Sequence, residues 1–337
     1  METMKAAVLR DIRDLAVMDV PKPSAGKDGV LVRVRSVGVC GTDLHTYKRG
    51  MFREMSLPQA EGVLFGHEFS GDIAAIGPEA RAEGFAVGDR VTGVALGAYA
   101  EYCTVGPVFG VKPLLNKLPD SVSYEEAATI EPLVFSLTAV ERANLRSGER
   151  VLIIGAGMIG LGCVQVLHAL HPDCEVVVCD VSEKRLAMAA EFGATTTIDA
   201  RRDDLVARMK AEFGATAVMY NATTSGRLDV VMECAGLPLT LNQAFELARP
   251  GTGRVIGVAL YEDRAEVDFN QVVAKNLKVV GTLGYTGEDV QRALRLIAEG
   301  KVDRRPLITH RYALADAARA FEAQTNTAET LKAVIMP

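Results

Sequence analysis

Val151-Leu152-Ile153-Ile154 running into Gly155-Ala156-Gly157-Met158-Ile159-Gly160 is the stretch from which the rest of the chain can be placed. Four apolar residues in a row suit a strand buried on both faces, and the glycines end it abruptly. Each glycine meets a different demand of a strand-turn-helix unit that cradles a dinucleotide. The first permits the tight turn, the second lets pyrophosphate approach the backbone, and the third lets helix and strand pack closely. The phosphate then sits on the positive N-terminus of the helix that Met158 and Ile159 open. The next apolar run, Glu175-Val-Val-Val-Cys-Asp180, ends on a carboxylate placed to hydrogen-bond both adenosine ribose hydroxyls. Asp180 would repel a phosphate there, so NAD is favoured over NADP. Arg185 reads equally as a side chain along the adenosine or as an exposed helix cation.

Outward from this unit, strand and helix keep alternating. Strands are expected at Thr195 to Ile198, Leu228 to Glu233, Gly253 to Ala259 and Leu277 to Leu283, with a helix from Ser182 to Phe192. That rhythm needs right-handed crossovers and gives an α/β fold, a doubly wound Rossmann parallel sheet. Before it the pattern differs. Leu31 to Val37, Phe69 to Ile76, Arg90 to Val94 and Ala98 to Val105 are short β-rich runs broken by glycines, a mostly antiparallel module. After Gly287 come an amphipathic helix, a strand near Leu307 to Tyr312, a helix and a last strand, Lys332 to Met336. Six strands already complete the nucleotide sheet, so this tail is expected to rejoin the first module. The expected division is 1–131 with 284–337, and 132–283.

Length and composition agree with two cores. The chain has 337 residues, 49% hydrophobic and 24% charged, and a net charge of -6. An acidic surface attracts neither nucleic acid nor an anionic membrane, which leaves a small molecule as the expected partner. Six cysteines in a chain of this length make no disulfide framework, and neither a secretory leader nor a membrane-spanning apolar run is evident. The expected compartment is the cytoplasm.

Two further segments carry metal-binding chemistry: Cys40-Gly41-Thr42-Asp43-Leu44-His45 and Gly66-His67-Glu68. Both stand at the ends of strand-like runs, where loops are expected to expose side chains. Thiolate, imidazole and carboxylate suit zinc, and three protein ligands with one open position is the catalytic arrangement. A metal that polarises an alcohol oxygen, beside a nicotinamide that accepts hydride, makes a dehydrogenase site.

With these residues in view, the chain resembles the zinc-dependent medium-chain alcohol dehydrogenase superfamily over nearly its whole length. The resemblance rests on Cys40-Gly-Thr-Asp-Leu-His45, Gly66-His-Glu-Phe-Ser-Gly71, Gly88-Asp-Arg-Val91, Ala100-Glu-Tyr102, Glu131-Pro132, the glycine fingerprint and Asp180. It implies a GroES-like catalytic domain beside the Rossmann domain, one catalytic zinc per chain, NAD, and a homodimer or homotetramer. It also implies that Cys40 and His67 are the first two zinc ligands. Glu131 stands where the polyol, butanediol and threonine dehydrogenase branch has glutamate. In that branch Glu68 and Glu131 share the remaining roles, one coordinating and the other holding the metal's water, and the resemblance does not choose between them. Glu131 also suits the cap of the helix that follows. Thr42 would take the alcohol proton and pass it through the nicotinamide ribose to His45, while Asp43 would orient a histidine ligand from behind. The implied activity is hydride transfer from a secondary alcohol of polyol, vicinal diol, amino alcohol or cyclitol type to NAD.

The chain departs from the family pattern twice. Thr92 to Tyr99 spans the place of a four-cysteine lobe for a second, structural zinc, and it contains no cysteine. The run Gly106 to Asn116 is longer than expected, which places it either as a surface loop or as a border of the substrate site with Lys112 available to an anion. Two other functions fit the fold: a zinc-free quinone or enone reductase, which has no use for Cys40, His67 and Glu68, and a non-catalytic nucleotide-binding protein, which has no use for Thr42 and His45.

Overall fold

The computed structural model of the protein describes residues 2–106, 114–219 and 223–337. Most of the run from Gly106 to Asn116, Lys112 included, lies outside the described residues. The chain divides into two compact units, Met1–Glu131 with Thr286–Pro337, and Pro132–Tyr285.

The first unit begins with β1 (Thr3–Asp11), β2 (Asp14–Pro21), β3 (Val30–Gly38), α1 (Gly41–Arg49), β4 (Leu57–Gln59) and β5 (Gly62–Leu64). It continues through β6 (Glu68–Ile76), α2 (Pro78–Ala82), β7 (Arg90–Val94), β8 (Tyr102–Val105), β9 (Leu115–Lys117), α3 (Tyr124–Ala127) and the start of α4 (Ile130–Arg142). The second unit holds β10 (Arg150–Ile154), α5 (Met158–Leu170), β11 (Glu175–Asp180), α6 (Glu183–Glu191), β12 (Thr196–Asp199) and α7 (Leu205–Phe213). A small hairpin, β13 (Thr216–Ala217) and β14 (Thr224–Ser225), precedes β15 (Val230–Glu233), α8 (Pro238–Leu247), β16 (Arg254–Gly257), α9 (Asn270–Lys275) and β17 (Lys278–Gly281). The first unit then receives α10 (Gly287–Ala298), β18 (Ile308–Ala313), α11 (Ala317–Thr325) and β19 (Lys332–Met336).

In the first unit, β18-β19-β3-β6-β7-β9 form one sheet with β8 paired to β3, and β2-β1-β5-β4 form another. Along β3, exposed Arg33 and Arg35 alternate with buried Val32 and Val34, and from Ser36 to Gly38 every residue is buried. The strand thus exposes side chains only in its middle and is buried throughout its last three residues, and the candidate metal ligands follow directly. The expected strand Ala98 to Val105 is shorter than its composition implies. Ala98 and Tyr99 donate to Gly66 and Phe65, whereas Tyr99 accepts from Ala7, so their backbone groups go to different segments and no continuous ladder forms.

The second unit is a six-stranded parallel sheet in the order β12-β11-β10-β15-β16-β17. Its order reverses between β10 and β15, the place where doubly wound sheets bind their ligands at the carboxyl ends of the strands. Leu152, Val177, Val231 and Val255 from four neighbouring strands pack with Phe213 of α7 and Phe245 of α8. Lys275, at the end of α9, is buried in this unit, and its ammonium donates to Ser225 Oγ at 2.9 Å and to the carbonyls of Phe245, Glu246 and Ala248. It therefore sits on the negative end of α8, and burial pulls it down to about 8.

Candidate metal centre and dinucleotide site

The candidate metal ligands come from three separated segments that the first unit brings together. β3 and β6 pair with Gly38 opposite Glu68. The chain leaving β3 therefore reaches Cys40 beside the chain that enters β6 through His67. Gly38 is required there: a Cβ on it would lie 2.3 Å from Glu68 Oε2 and 2.8 Å from the Ala128 carbonyl. Glu131, in the first turn of α4, supplies the fourth group. Ligand atoms of Cys40, His67, Glu68 and Glu131 all lie within 4.8 Å of one another.

Cys40 to His45 is not the open loop that the sequence suggests. Cys40 caps α1, Asp43 at its third position accepts from the Cys40 amide at 3.4 Å, and Gly50 closes the helix in the left-handed region with φ 70°. Asp43 is buried, whereas Thr42 and His45, three residues apart on that helix, are half-buried. Positions i and i+3 of a helix share one face, so hydroxyl and imidazole stand on the same side of α1. Asp43 points elsewhere: its Oδ1 is 3.4 Å from His67 Nδ1, and its Oδ2 accepts from the Tyr99 hydroxyl at 2.6 Å. With Nδ1 turned to the carboxylate, Nε2 of His67 is the nitrogen left for a metal.

Tyr99 is itself fixed by an aromatic cluster, with ring centroids 5.1 Å from both Phe65 and Phe321. Gly66, with φ 97°, passes so close that a Cβ there would be 2.6 Å from the Tyr99 ring. Behind Glu68 stands Lys332 of β19, whose ammonium donates to the Val39 carbonyl at 3.1 Å and pairs with Glu68 Oε2. Both side chains are almost completely buried, at 4% and 1% exposure. Sequence reasoning missed Tyr99 and Lys332. The signal for the second was present, since a lysine inside Lys332-Ala-Val-Ile-Met336 interrupts an otherwise apolar strand and demands a buried partner.

The electrostatics of the group favour a cation. Burial and the Glu68 carboxylate push the Cys40 thiol up. Burial opposes charge on His67 and on Lys332, yet Asp43 with Cys40, and Glu68, more than offset it and raise both. A thiol and two carboxylates gathered this closely repel one another as anions, and a divalent ion reverses that balance and holds the thiolate form. The donor set therefore fits zinc.

The dinucleotide site, in contrast, is made of backbone. Gly155 has φ 102°, and a Cβ there would lie 2.9 Å from the Ala235 amide nitrogen. A Cβ on Gly160 would come within 1.9 Å of the Gly155 carbonyl oxygen, whereas nothing stands within 4 Å of one on Gly157. The tight turn, the open approach for phosphate and the close helix packing thus fall on Gly155, Gly157 and Gly160, in the order expected of a dinucleotide fold. Gly157 caps α5, with Met158 and Ile159 in its first turn. Asp180 Oδ2 accepts from the Ala156 amide at 2.6 Å and Oδ1 from the Ser182 amide at 2.8 Å. The carboxylate therefore also braces the glycine turn, a role the sequence did not reveal. Arg185 lies in the first turn of α6, its amide capped by Ser182 Oγ at 3.4 Å. All six cysteines are free thiols, Cys40 and Cys234 half-buried and the others buried.

Comparison with known proteins gives the same reading. A family model described as alcohol dehydrogenase GroES-like domain matches residues 26–114, and one described as zinc-binding dehydrogenase matches residues 159–299. Sorbitol dehydrogenase of Bacillus subtilis (strain 168) is 31% identical, with 100% of this chain and 98% of that protein covered. L-threonine 3-dehydrogenase of Pseudoalteromonas translucida (strain TAC 125) is 30% identical, covering 90% of this chain and 91% of that protein. The crystal structure of 2R,3R-butanediol dehydrogenase from Bacillus subtilis matches with a TM-score of 0.83 at 28% identity, over 99% of both chains. The expected fold class and zinc-type alcohol dehydrogenase activity are borne out, and the zinc-free reductase is not favoured. Matched by both family models and by relatives along almost its full length, the chain belongs to the zinc-binding, medium-chain alcohol dehydrogenase family.

Proposed function

We propose that the protein oxidises a secondary alcohol bearing a neighbouring hydroxyl or amine, with NAD as hydride acceptor, at a single zinc held by Cys40, His67 and the carboxylates Glu68 and Glu131. The observation that carries this reading is the convergence of those four donors within 4.8 Å. A zinc ion there supplies Lewis acidity to the alcohol oxygen, and NAD supplies the hydride acceptor. The chain's own residues do the rest. Asp43 keeps His67 in the orientation that leaves Nε2 toward the metal, and Tyr99 keeps Asp43 in place. Lys332 balances the charge of Glu68. Thr42 takes the proton leaving the alcohol, and His45 on the same face of α1 delivers it to solvent. Gly155, Gly157, Met158, Ile159 and Gly160 hold the pyrophosphate, and Asp180 holds the adenosine ribose with Arg185 alongside. The similarity to proteins named sorbitol dehydrogenase, L-threonine 3-dehydrogenase and 2R,3R-butanediol dehydrogenase supports that range of substrates.

The same reading makes the protein a cytoplasmic homo-oligomer. Among the described residues no helix is long and apolar enough to cross a membrane. β17 ends the parallel sheet of the second unit, and Val273, Val279 and Leu283 around it are exposed. An open apolar edge supports pairing with a second copy.

The test is the initial rate of NAD reduction across vicinal diols, polyols, 3-hydroxy amino acids, amino-cyclitols and simple alcohols, with and without a chelator. Turnover on one class, abolished by the chelator and restored by zinc, is the expected result. Turnover that survives complete removal of metal overturns the reading.

A further inference from the structure

Among the described residues, Glu233 is a completely buried carboxylate of the second unit that the catalytic reading leaves unused. Glu233 ends β15, is 0% exposed, and is opposite Ile154 of β10 in the sheet. Its Oε1 accepts from the amides of Ala235 and Gly236, both at 2.9 Å, and from Thr240 Oγ1 at 2.8 Å. Its Oε2 accepts from the Tyr261 hydroxyl at 2.6 Å. All four are neutral donors: Ala235 and Gly236 lie in the loop following β15, Thr240 in the first turn of α8 that this loop enters, and Tyr261 in the loop following β16. An ionised carboxylate is costly to bury, and hydrogen bonds to a charged group are stronger than neutral ones. A site that spends four of them on one side chain fixes the loops around it.

The two loops also touch. A Cβ on Gly236, whose φ is 72°, would be 2.9 Å from the Leu260 carbonyl oxygen, and one on Gly155 would be equally close to the Ala235 amide. Glu233 thus stands where the carboxyl ends of β10, β15 and β16 meet, on the far side of the switch point from Asp180. In a doubly wound sheet the dinucleotide lies across that point. With the adenosine half over β10, β11 and Asp180, the other half falls on the loops that Glu233 joins. Leu237 and Leu260, 54% and 60% exposed, give those loops an apolar surface suited to a flat ring.

We propose that Glu233 is a positioning residue that locks the loops after β15 and β16 into one floor for the nicotinamide half of the cofactor, with Tyr261 and Thr240 as its two side-chain holds. The inference rests on the assignment of NAD to the Gly155–Gly160 turn, and concerns one half of that ligand only. Burial and the Glu233 carboxylate push the Tyr261 phenol up, which keeps it a donor at every working pH.

The experiment compares two ligands that share the adenosine and pyrophosphate but differ in the nicotinamide. Dissociation constants for NADH, by fluorescence, and for ADP-ribose, by calorimetry, are measured on wild type, Tyr261→Phe and Thr240→Val. Losing a hydrogen bond to a buried charge is expected to weaken NADH about tenfold in Tyr261→Phe. ADP-ribose is expected to bind within about twofold of wild type, because its contacts lie on the other half of the site. Thr240→Val is expected to show the same split more weakly, since Oε1 keeps its two amide donors, and it carries the test if Tyr261→Phe does not fold. Equal losses for both ligands, or no loss for either, overturn the proposal while leaving the nucleotide site in place. Failure of wild type to bind either ligand overturns the nucleotide assignment itself.

Discussion

The two sites of this chain are built on opposite plans. The candidate dinucleotide turn is six consecutive residues, three of them glycine, that present backbone and the N-terminus of α5. The metal centre is four side chains from three segments, gathered by the pairing of β3 with β6 and by the first turn of α4. The first plan requires glycines and tolerates little added volume. The second requires charge to be balanced in a buried place, and it recruits helpers from far along the chain to do so: Asp43 and Tyr99 for His67, Lys332 for Glu68. A contiguous backbone site thus fails through shape, and a dispersed side-chain site fails through charge.

The largest expected effect breaks the charge balance. Lys332→Met leaves the Glu68 carboxylate buried without its cation, and removing one partner of a buried pair costs about 3–5 kcal/mol. Urea unfolding of metal-free protein should show that loss, and zinc-loaded protein should show less of it, because the ion takes over part of the neutralisation. An unchanged metal-free midpoint breaks the contrast between the two sites. Next comes shape: Gly160→Ala places a Cβ 1.9 Å from the Gly155 carbonyl, an overpacking expected to cost about 1–3 kcal/mol. NADH titration of the variant should show binding lost while zinc content stays at the wild-type level.

A smaller effect sharpens the metal side. Asp43→Asn removes the charge behind His67, and such changes typically weaken metal affinity about 10–100-fold. Competition with a chromophoric chelator reads this directly. The smallest effect is a change of slope with pH. The folded-state value for Lys275 is depressed to about 8 from 10.5. The unfolded chain therefore binds more protons between those two values, and stability rises with pH across that window as the buried charge is relinquished. Below about 8 the cost of burying the ammonium is present in full. Denaturation of wild type and Lys275→Met from pH 7 to 10 should show that rise in wild type only, with the activity sites unaffected.

How much of each site could be read from the residues follows from the same contrast. The glycine fingerprint declares itself because its geometry is local: strand, turn, helix and Asp180 lie within a few dozen residues of one another. The candidate ligands Cys40, His67, Glu68 and Glu131 stood out by residue type and by resemblance to a family. Of their helpers Asp43 stood out with them, but Tyr99 and Lys332 did not, because what makes those two important is where β1, β19 and α11 carry them. α1 was read as an exposed loop because Cys40 to His45 follows directly on a strand-like run. The decisive signal was the Asp43 carboxylate, three positions after Cys40 and able to accept its amide. Asp180 was legible as a ribose ligand but not as a brace for Ala156, since hydrogen bonds back to a neighbouring loop leave no trace in composition.

The Lys332 contact also has a meaning in time. Cys40, His67, Glu68 and Glu131 all leave the ribosome before the second unit has begun to form, while the lysine that neutralises Glu68 arrives only with β19, which zips onto β3 through Val334–Gly38 and Ile335–Val37. Until that strand docks, Glu68 lacks the ammonium it pairs with in the folded protein. The candidate donors are thus made early, and the strand that carries the counter-charge of Glu68 is made last.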